Sequence, residues 1–223
     1  MKFSTGSVEA AARAITNDLR YALRGGSVLW FVSGGSCVPA QVNIMQQLVT
    51  SHAELANLTI LPVDERFGAY GHSNSNSEQM RQAGFKPGAA TWVDVLEKNL
   101  PFDETVDHYS KVVHDALCAR TVIATLGMGP DGHTAGLLPD SAAIEDTVST
   151  VIGYNWSDYT RMTTGIAPLL KINTVYVLAY GESKQTALTR LRTNTEPLEI
   201  LPAKLLYDIP SVTVYNDYIT TEE

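Results

Sequence analysis

Thr121-Val122-Ile123-Ala124-Thr125-Leu126-Gly127-Met128-Gly129-Pro130-Asp131-Gly132-His133-Thr134-Ala135-Gly136-Leu137-Leu138-Pro139-Asp140 holds the transition that decides the fold. Its first six residues form an apolar run of the kind buried on both faces of a sheet. Three glycines then interrupt it, separated by Met128 and by Pro130-Asp131, and His133 follows the third. That order predicts a strand, a tight loop and a short helix from Thr134 to Leu138 ended by Pro139. In an open parallel α/β sheet, ligands sit outside the carboxyl ends of the strands, so this loop is expected to face a site. At the mouth of a helix, the positive end of the dipole would disfavour the imidazolium form of His133. A neutral imidazole can act as a general base, and Asp131 is close enough in sequence to orient it. The same residues also fit a plain loop in which Asp131 caps a helix and His133 packs.

On either side of this stretch, strand-like and helix-like segments alternate about six times, the pattern of a parallel sheet wrapped by helices. Val8, Ala11, Ala12, Ile15, Leu19 and Ala22 recur at helical spacing and stop near Arg24-Gly25-Gly26. Ser27-Val28-Leu29-Trp30-Phe31-Val32 is a second run suited to burial on both faces. It empties into Ser33-Gly34-Gly35-Ser36, with an apolar-periodic helix expected from about Cys37 to Val49. A strand, two glycines, a hydroxyl and a helix make an anion cradle. The glycines let backbone N–H groups approach an oxyanion, Ser36 adds a donor, and the helix dipole favours negative charge. Gly-Gly at such a junction is also found in turns that bind nothing.

Leu58-Thr59-Ile60-Leu61-Pro62-Val63 reads as a further strand, with Pro62 marking an edge or an end. Asp64-Glu65-Arg66 follows, either as a local ion pair or as a carboxylate and a cation facing a ligand. Ala90–Val95 reads as a short peripheral strand, and helical spacing returns from Val106 to Leu117 with His108 and His114 on its polar side. Thr147–Ile152 and Val175–Ala179 read as strands. The last run, Val212–Tyr215, is expected to end the sheet, with Asp217 as a helix cap.

Composition narrows the function classes. With 223 residues and no linker, repeat or low-complexity tract, the expectation is a single α/β domain over residues 1–223: a mainly parallel sheet covered by helices on both faces. The 44% apolar and 18% charged content is that of an ordinary globule. No run of 18 apolar residues exists, which argues against a membrane helix. The first residues lack the apolar core of a signal peptide, so a cytoplasmic location is expected. A net charge of −8 without a basic run argues against nucleic acid as a partner. It leaves small anions open, because charges beyond a Debye length of about 8 Å are largely screened and local cations decide. Cys37 and Cys118 form no metal-binding spacing and are read as reduced, buried thiols. No metal site and no cofactor is expected.

Gly127-Met128-Gly129-Pro130-Asp131-Gly132-His133-Thr134-Ala135 resembles the signature of 6-phosphogluconolactonases, within the group that also holds glucosamine-6-phosphate deaminases. Ser33–Ser36, Asp64-Glu65-Arg66, Arg161-Met162-Thr163 and Gly181-Glu182-Ser183-Lys184 extend the resemblance in the family's order, over residues 28–217. It implies a modified Rossmann-like, NagB-type fold. It also implies phosphate binding by Ser33, Gly34, Gly35, Ser36, Arg161 and Lys184, and a catalytic group of His133, Asp131, Arg66 and Asp64. Asn76, preferred over Asn74 on spacing, would support the site with Gly129 and Gly132, while His72 is read as solvated.

Three departures stand out: Gly136 where the family usually has Ser, Leu138 where it usually has Phe, and Phe67-Gly68 in place of Val-Pro. The first removes a hydroxyl that could support the site. The implied activity is hydrolysis of 6-phospho-D-glucono-1,5-lactone by a monomer or weak homodimer, with His133 as general base. The rivals are a deaminase-type sugar-phosphate isomerase and a non-catalytic sugar-phosphate sensor. The isomerase chemistry uses Asn-Glu-Pro shortly after the histidine, where this chain has Gly136-Leu137-Leu138-Pro139.

Overall fold

The computed structural model describes residues 1–51, 53–157 and 159–220. In chain order the elements are β1 (Lys2–Thr5), α1 (Val8–Gly25), β2 (Val28–Val32), α2 (Val38–Thr50), β3 (Leu58–Pro62), β4 (Asp64–Arg66), α3 (Asn76–Gln82) and β5 (Thr91–Trp92). There follow α4 (Phe102–Ala116), β6 (Thr121–Gly127), α5 (Ala142–Glu145), β7 (Val151–Trp156) and β8 (Tyr159–Thr164). The chain continues through α6 (Ile166–Leu169), β9 (Thr174–Ala179), α7 (Gln185–Thr193) and β10 (Ser211–Asn216).

Seven strands form a sheet in the order β1-β10-β9-β6-β2-β3-β5, and every neighbouring pair is parallel. Successive side chains of a strand point to opposite faces, so two apolar layers are needed. Val28, Trp30 and Val32 of β2 pack with Ile15 and Leu19 of α1 and Ile44 of α2. Leu29 and Phe31 pack into the other layer, with Tyr109 of α4 and Leu188 of α7. Trp30 is fully buried and its Nε1–H donates to Thr125 Oγ1 at 2.9 Å, joining β2 to β6 inside the first layer.

The second layer is closed by a small antiparallel sheet, β4-β8-β7. Val63 joins the two sheets: its N–H donates to Val32 O at 2.8 Å, and its carbonyl accepts from Thr164 N at 2.9 Å. Pro62 thus stands at the end of an interior strand, where the Tyr109 hydroxyl donates to its carbonyl.

Several expectations are corrected. Thr134–Leu138 is a tight turn and not a helix. Leu137 N–H returns to Thr134 O and Ala135 takes φ +51°, outside the helical region, while Thr163 Oγ1 accepts from the Gly136 N–H at 3.0 Å and holds the turn. The strand expected over 147–152 begins only at Val151, because the Asp146 carboxylate holds the N–H groups of Val148 and Ser149. β10 does not end the sheet, since β1 pairs along its far side. Asp217 caps no helix; its carboxylate accepts from Gly181 N–H at 2.7 Å and braces the loop after β9. Cys37 is buried, whereas Cys118 is exposed.

Replacing Thr125 by Val keeps the shape and strands a buried indole N–H. The expected loss is about 1–3 kcal/mol of unfolding free energy. Urea unfolding of T125V should show a lowered midpoint with an unchanged slope; superimposable curves would contradict the account of this layer.

Candidate functional site

From β2 the chain steps one way across the sheet, to β3 and β5, and then returns to the other side of β2 for β6, β9 and β10. The loops after β2 and β6 therefore diverge, and such a reversal leaves a crevice at the carboxyl ends of the strands. The crevice here is an open cleft with a volume of about 170 Å³. One water needs only about 10–15 Å³, so the cleft has room for a small molecule.

The first wall is the Ser33–Ser36 loop. Gln41, fully buried on α2, clamps both backbone groups of Ser33. Its Oε1 accepts from Ser33 N at 2.8 Å and its Nε2 donates to Ser33 O at 2.6 Å. The Ser33 hydroxyl is buried with no hydrogen-bond partner among the described residues. A Cβ on Gly34 would lie 1.9 Å from Asn76 Oδ1, so the bare backbone there is what lets the Asn76 side chain in.

The second wall comes from β4 and the turn behind it. Asn76 Nδ2 donates to Asp64 O at 2.9 Å, while its Oδ1 accepts from Arg66 Nη1 at 3.0 Å. Asn74 contributes only its carbonyl to the same guanidinium. His72 is half-buried against the Arg66 carbonyl and does not line the cleft. Asp64 is buried at the cleft; burial pushes its carboxyl up, and Arg66, Arg161 and His133 partly counter this. Glu65 points the other way and is fully buried. Its carboxylate accepts from the N–H groups of Arg66, Asn76 and Ser77 and from the Ser75 hydroxyl, at 2.6–3.1 Å. Burial still leaves its carboxyl raised against those donors.

The third wall is the loop after β6. His133 Nδ1 lies 2.7 Å from Asp131 Oδ1, and the His133 N–H also donates to that oxygen at 3.1 Å. Partial burial pushes the Asp131 carboxyl up, but the hydrogen bonds and charge of His133 outweigh it and bring it down to about 2. A Cβ on Gly129 would meet the imidazole at 2.1 Å, and one on Gly132, at φ +91°, would meet Leu201 at 2.3 Å. Gly129 is thus required by packing against the His133–Asp131 pair, and Gly132 by its positive φ. Arg190, held by Glu196, donates to the Asp131 carbonyl at 3.0 Å from behind.

Arg161 on β8 and Lys184 after β9 complete the cleft. Arg161 is the direct cross-strand partner of Arg66. The expected site residues therefore meet, with Asp131 and Gly132 set just behind the lining. Gln41 and Arg190 escaped the sequence reading and carry no local signal; Glu65 and Thr163 stood inside quoted motifs but were given no role of their own. The hydroxyl thought lost at Gly136 has no room here, since a Cβ would come within 2.7 Å of Thr163 Cβ. Leu138 packs in the core.

Residues 4–214 match the family described as glucosamine-6-phosphate isomerases/6-phosphogluconolactonase. The chain belongs to this family. It is 28% identical over 186 residues to the 6-phosphogluconolactonase of Homo sapiens, covering 78% of this chain and 72% of the human one. It is 26% identical over 213 residues to the glucosamine-6-phosphate deaminase of Lactobacillus johnsonii, covering 87% and 84%. A solved 6-phosphogluconolactonase from Shewanella baltica superposes with a TM-score of 0.80 at 20% identity, over 97% of each chain. The mainly parallel sheet is therefore the family's fold, and both activities of the family occur on it. Among the described residues no three His, Cys, Asp or Glu side chains gather as metal ligands, and no helix is long and apolar enough to cross a membrane.

The Asp131–His133 contact has a titration signature. Asp131 should remain ionised well below the ordinary value of 3.8, down to about 2. Because its folded pKa is depressed, the stability it contributes is complete above pH 4–5 and disappears as pH falls toward 2. Carboxyl ¹³C NMR of the parent and of H133N checks this: the Asp131 midpoint should rise in the variant, and equal midpoints would sever the link.

Proposed function

We propose that this chain hydrolyses 6-phospho-D-glucono-1,5-lactone to 6-phosphogluconate. One observation carries the reading: a histidine with Nδ1 engaged by a carboxylate faces a cleft that also holds Arg66, Arg161 and Lys184. The ionised Asp131 accepts a hydrogen bond, which puts the imidazole proton on Nδ1 and leaves the Nε2 lone pair for the reacting water. Asp131, rather than a helix dipole, then sets the tautomer and orientation of the ring.

Nε2 of His133 takes a proton as water adds to the lactone carbonyl. Arg66 or a backbone N–H stabilises the oxyanion. On collapse, the bond from C1 to the ring oxygen breaks and that oxygen receives the proton back from His133. The phosphate is held by Arg161, Lys184 and the Ser33–Ser36 loop; each charge-assisted bond contributes about 1.5–3 kcal/mol. Asp64 faces the sugar.

The deaminase-type reading needs a carboxylate in the turn after His133. Residues 134–139 contain none, and Leu137 and Leu138 of that turn are buried. Assays that follow lactone loss against its spontaneous hydrolysis, and glucosamine-6-phosphate turnover beside it, separate the readings. Lactone turnover alone supports the proposal. Binding of 6-phosphogluconate with neither activity would favour a sensor. H133N should lower kcat by about 10²–10⁴-fold with little change in KM. R161A or K184A should chiefly raise KM. Full activity in H133N would overturn the assignment of the base.

A further inference from the structure

In the β4–β8 ladder Asp64 pairs with Thr163 and Arg66 with Arg161, placing the two arginines directly opposite each other. Like charges directly opposite each other are destabilising, so a group of the fold must offset their repulsion. Among the described residues neither forms an ion pair, although the charges of both act on the buried Asp64 carboxyl; Arg66 uses Nη1 on Asn74 O and Asn76 Oδ1, and the Nε of both arginines is buried without a hydrogen-bond partner among the described residues. Tyr159 lies two residues before Arg161 on the same strand face and diagonal to Arg66, within reach of both. Its ring centroid is 5.5 Å from the guanidinium carbon of Arg66 and 5.5 Å from that of Arg161. Trp156 is its cross-strand partner on β7.

We infer that Tyr159 is a positioning residue: its ring holds Arg66 and Arg161 together as a two-guanidinium clamp for the phosphate of the substrate. The inference rests on the reading above and deepens it: Arg66 goes to the phosphate, which leaves the oxyanion to a backbone N–H. It explains how two cations stay poised beside each other: the negative ring face attracts both, offsetting their repulsion. An aliphatic residue would cover the same area without attracting either.

The test is calorimetric binding of inorganic phosphate to the parent, Y159F and Y159L, with Y159T as a second ring-less variant and urea unfolding to confirm folded protein. Y159F should bind like the parent. Y159L and Y159T should weaken phosphate about 5- to 30-fold, the loss of two ring–cation contacts. Lactone KM should rise by a similar factor with kcat retained. Equal phosphate affinity in the parent and both ring-less variants, equal weakening in Y159F and Y159L, or a parent that binds no phosphate would each overturn the inference. If the parent binds phosphate but hydrolyses no lactone, the proposed activity falls, and the phosphate affinities still decide the role of the ring.

Discussion

The fully buried carboxylate of Glu65 is the interaction on which the cleft depends. A charge taken from water is tolerated only when its lone pairs are filled, and here three backbone N–H groups and a hydroxyl fill them. Two of those N–H groups belong to Asn76 and Ser77 at the start of α3, so one side chain pins that helix to β4. With α3 pinned, the Asn76 side chain falls onto Gly34 and binds both Asp64 and Arg66. Loops after two different strands thereby acquire a fixed spacing, although neither has regular structure across the gap.

The same logic applies at each remaining wall. Short polar segments are anchored by groups behind them, leaving their front atoms unspent. Gln41 satisfies the backbone of Ser33 and leaves its hydroxyl without a partner among the described residues; Arg190 takes the Asp131 carbonyl and leaves the carboxylate for His133. Sites held from behind in this way lose little order when a ligand arrives, which favours binding.

The sequence disclosed most of the parallel sheet because strands buried on both faces must be continuously apolar, as Val28–Val32 and Thr121–Leu126 are. It concealed β1 and β4, which are three or four residues long and carry polar side chains at a sheet's margin. The candidate site was largely legible, since glycine loops at strand ends and charged residues after apolar runs are local patterns. The turn after His133 was misread because Ala135 takes a positive φ there, and the turn is held from 27 residues away, where Thr163 accepts from the Gly136 N–H. Tyr159 gave no signal either: its position over two arginines follows from antiparallel register, and a three-residue strand does not announce its partner.

Gly136 and Thr163 are interlocked. The glycine is open only where the threonine side chain fills the adjoining space, and the Tyr154 hydroxyl secures the Gly136 carbonyl on its other side. A larger residue at 136 would press on Thr163 and, through the ladder, on the backbone of Asp64. Positions 136 and 163 should therefore behave as an epistatic pair: a larger residue at 136 meets a steric barrier that a smaller one at 163 removes, while the smaller one alone forfeits the acceptor of the Gly136 N–H.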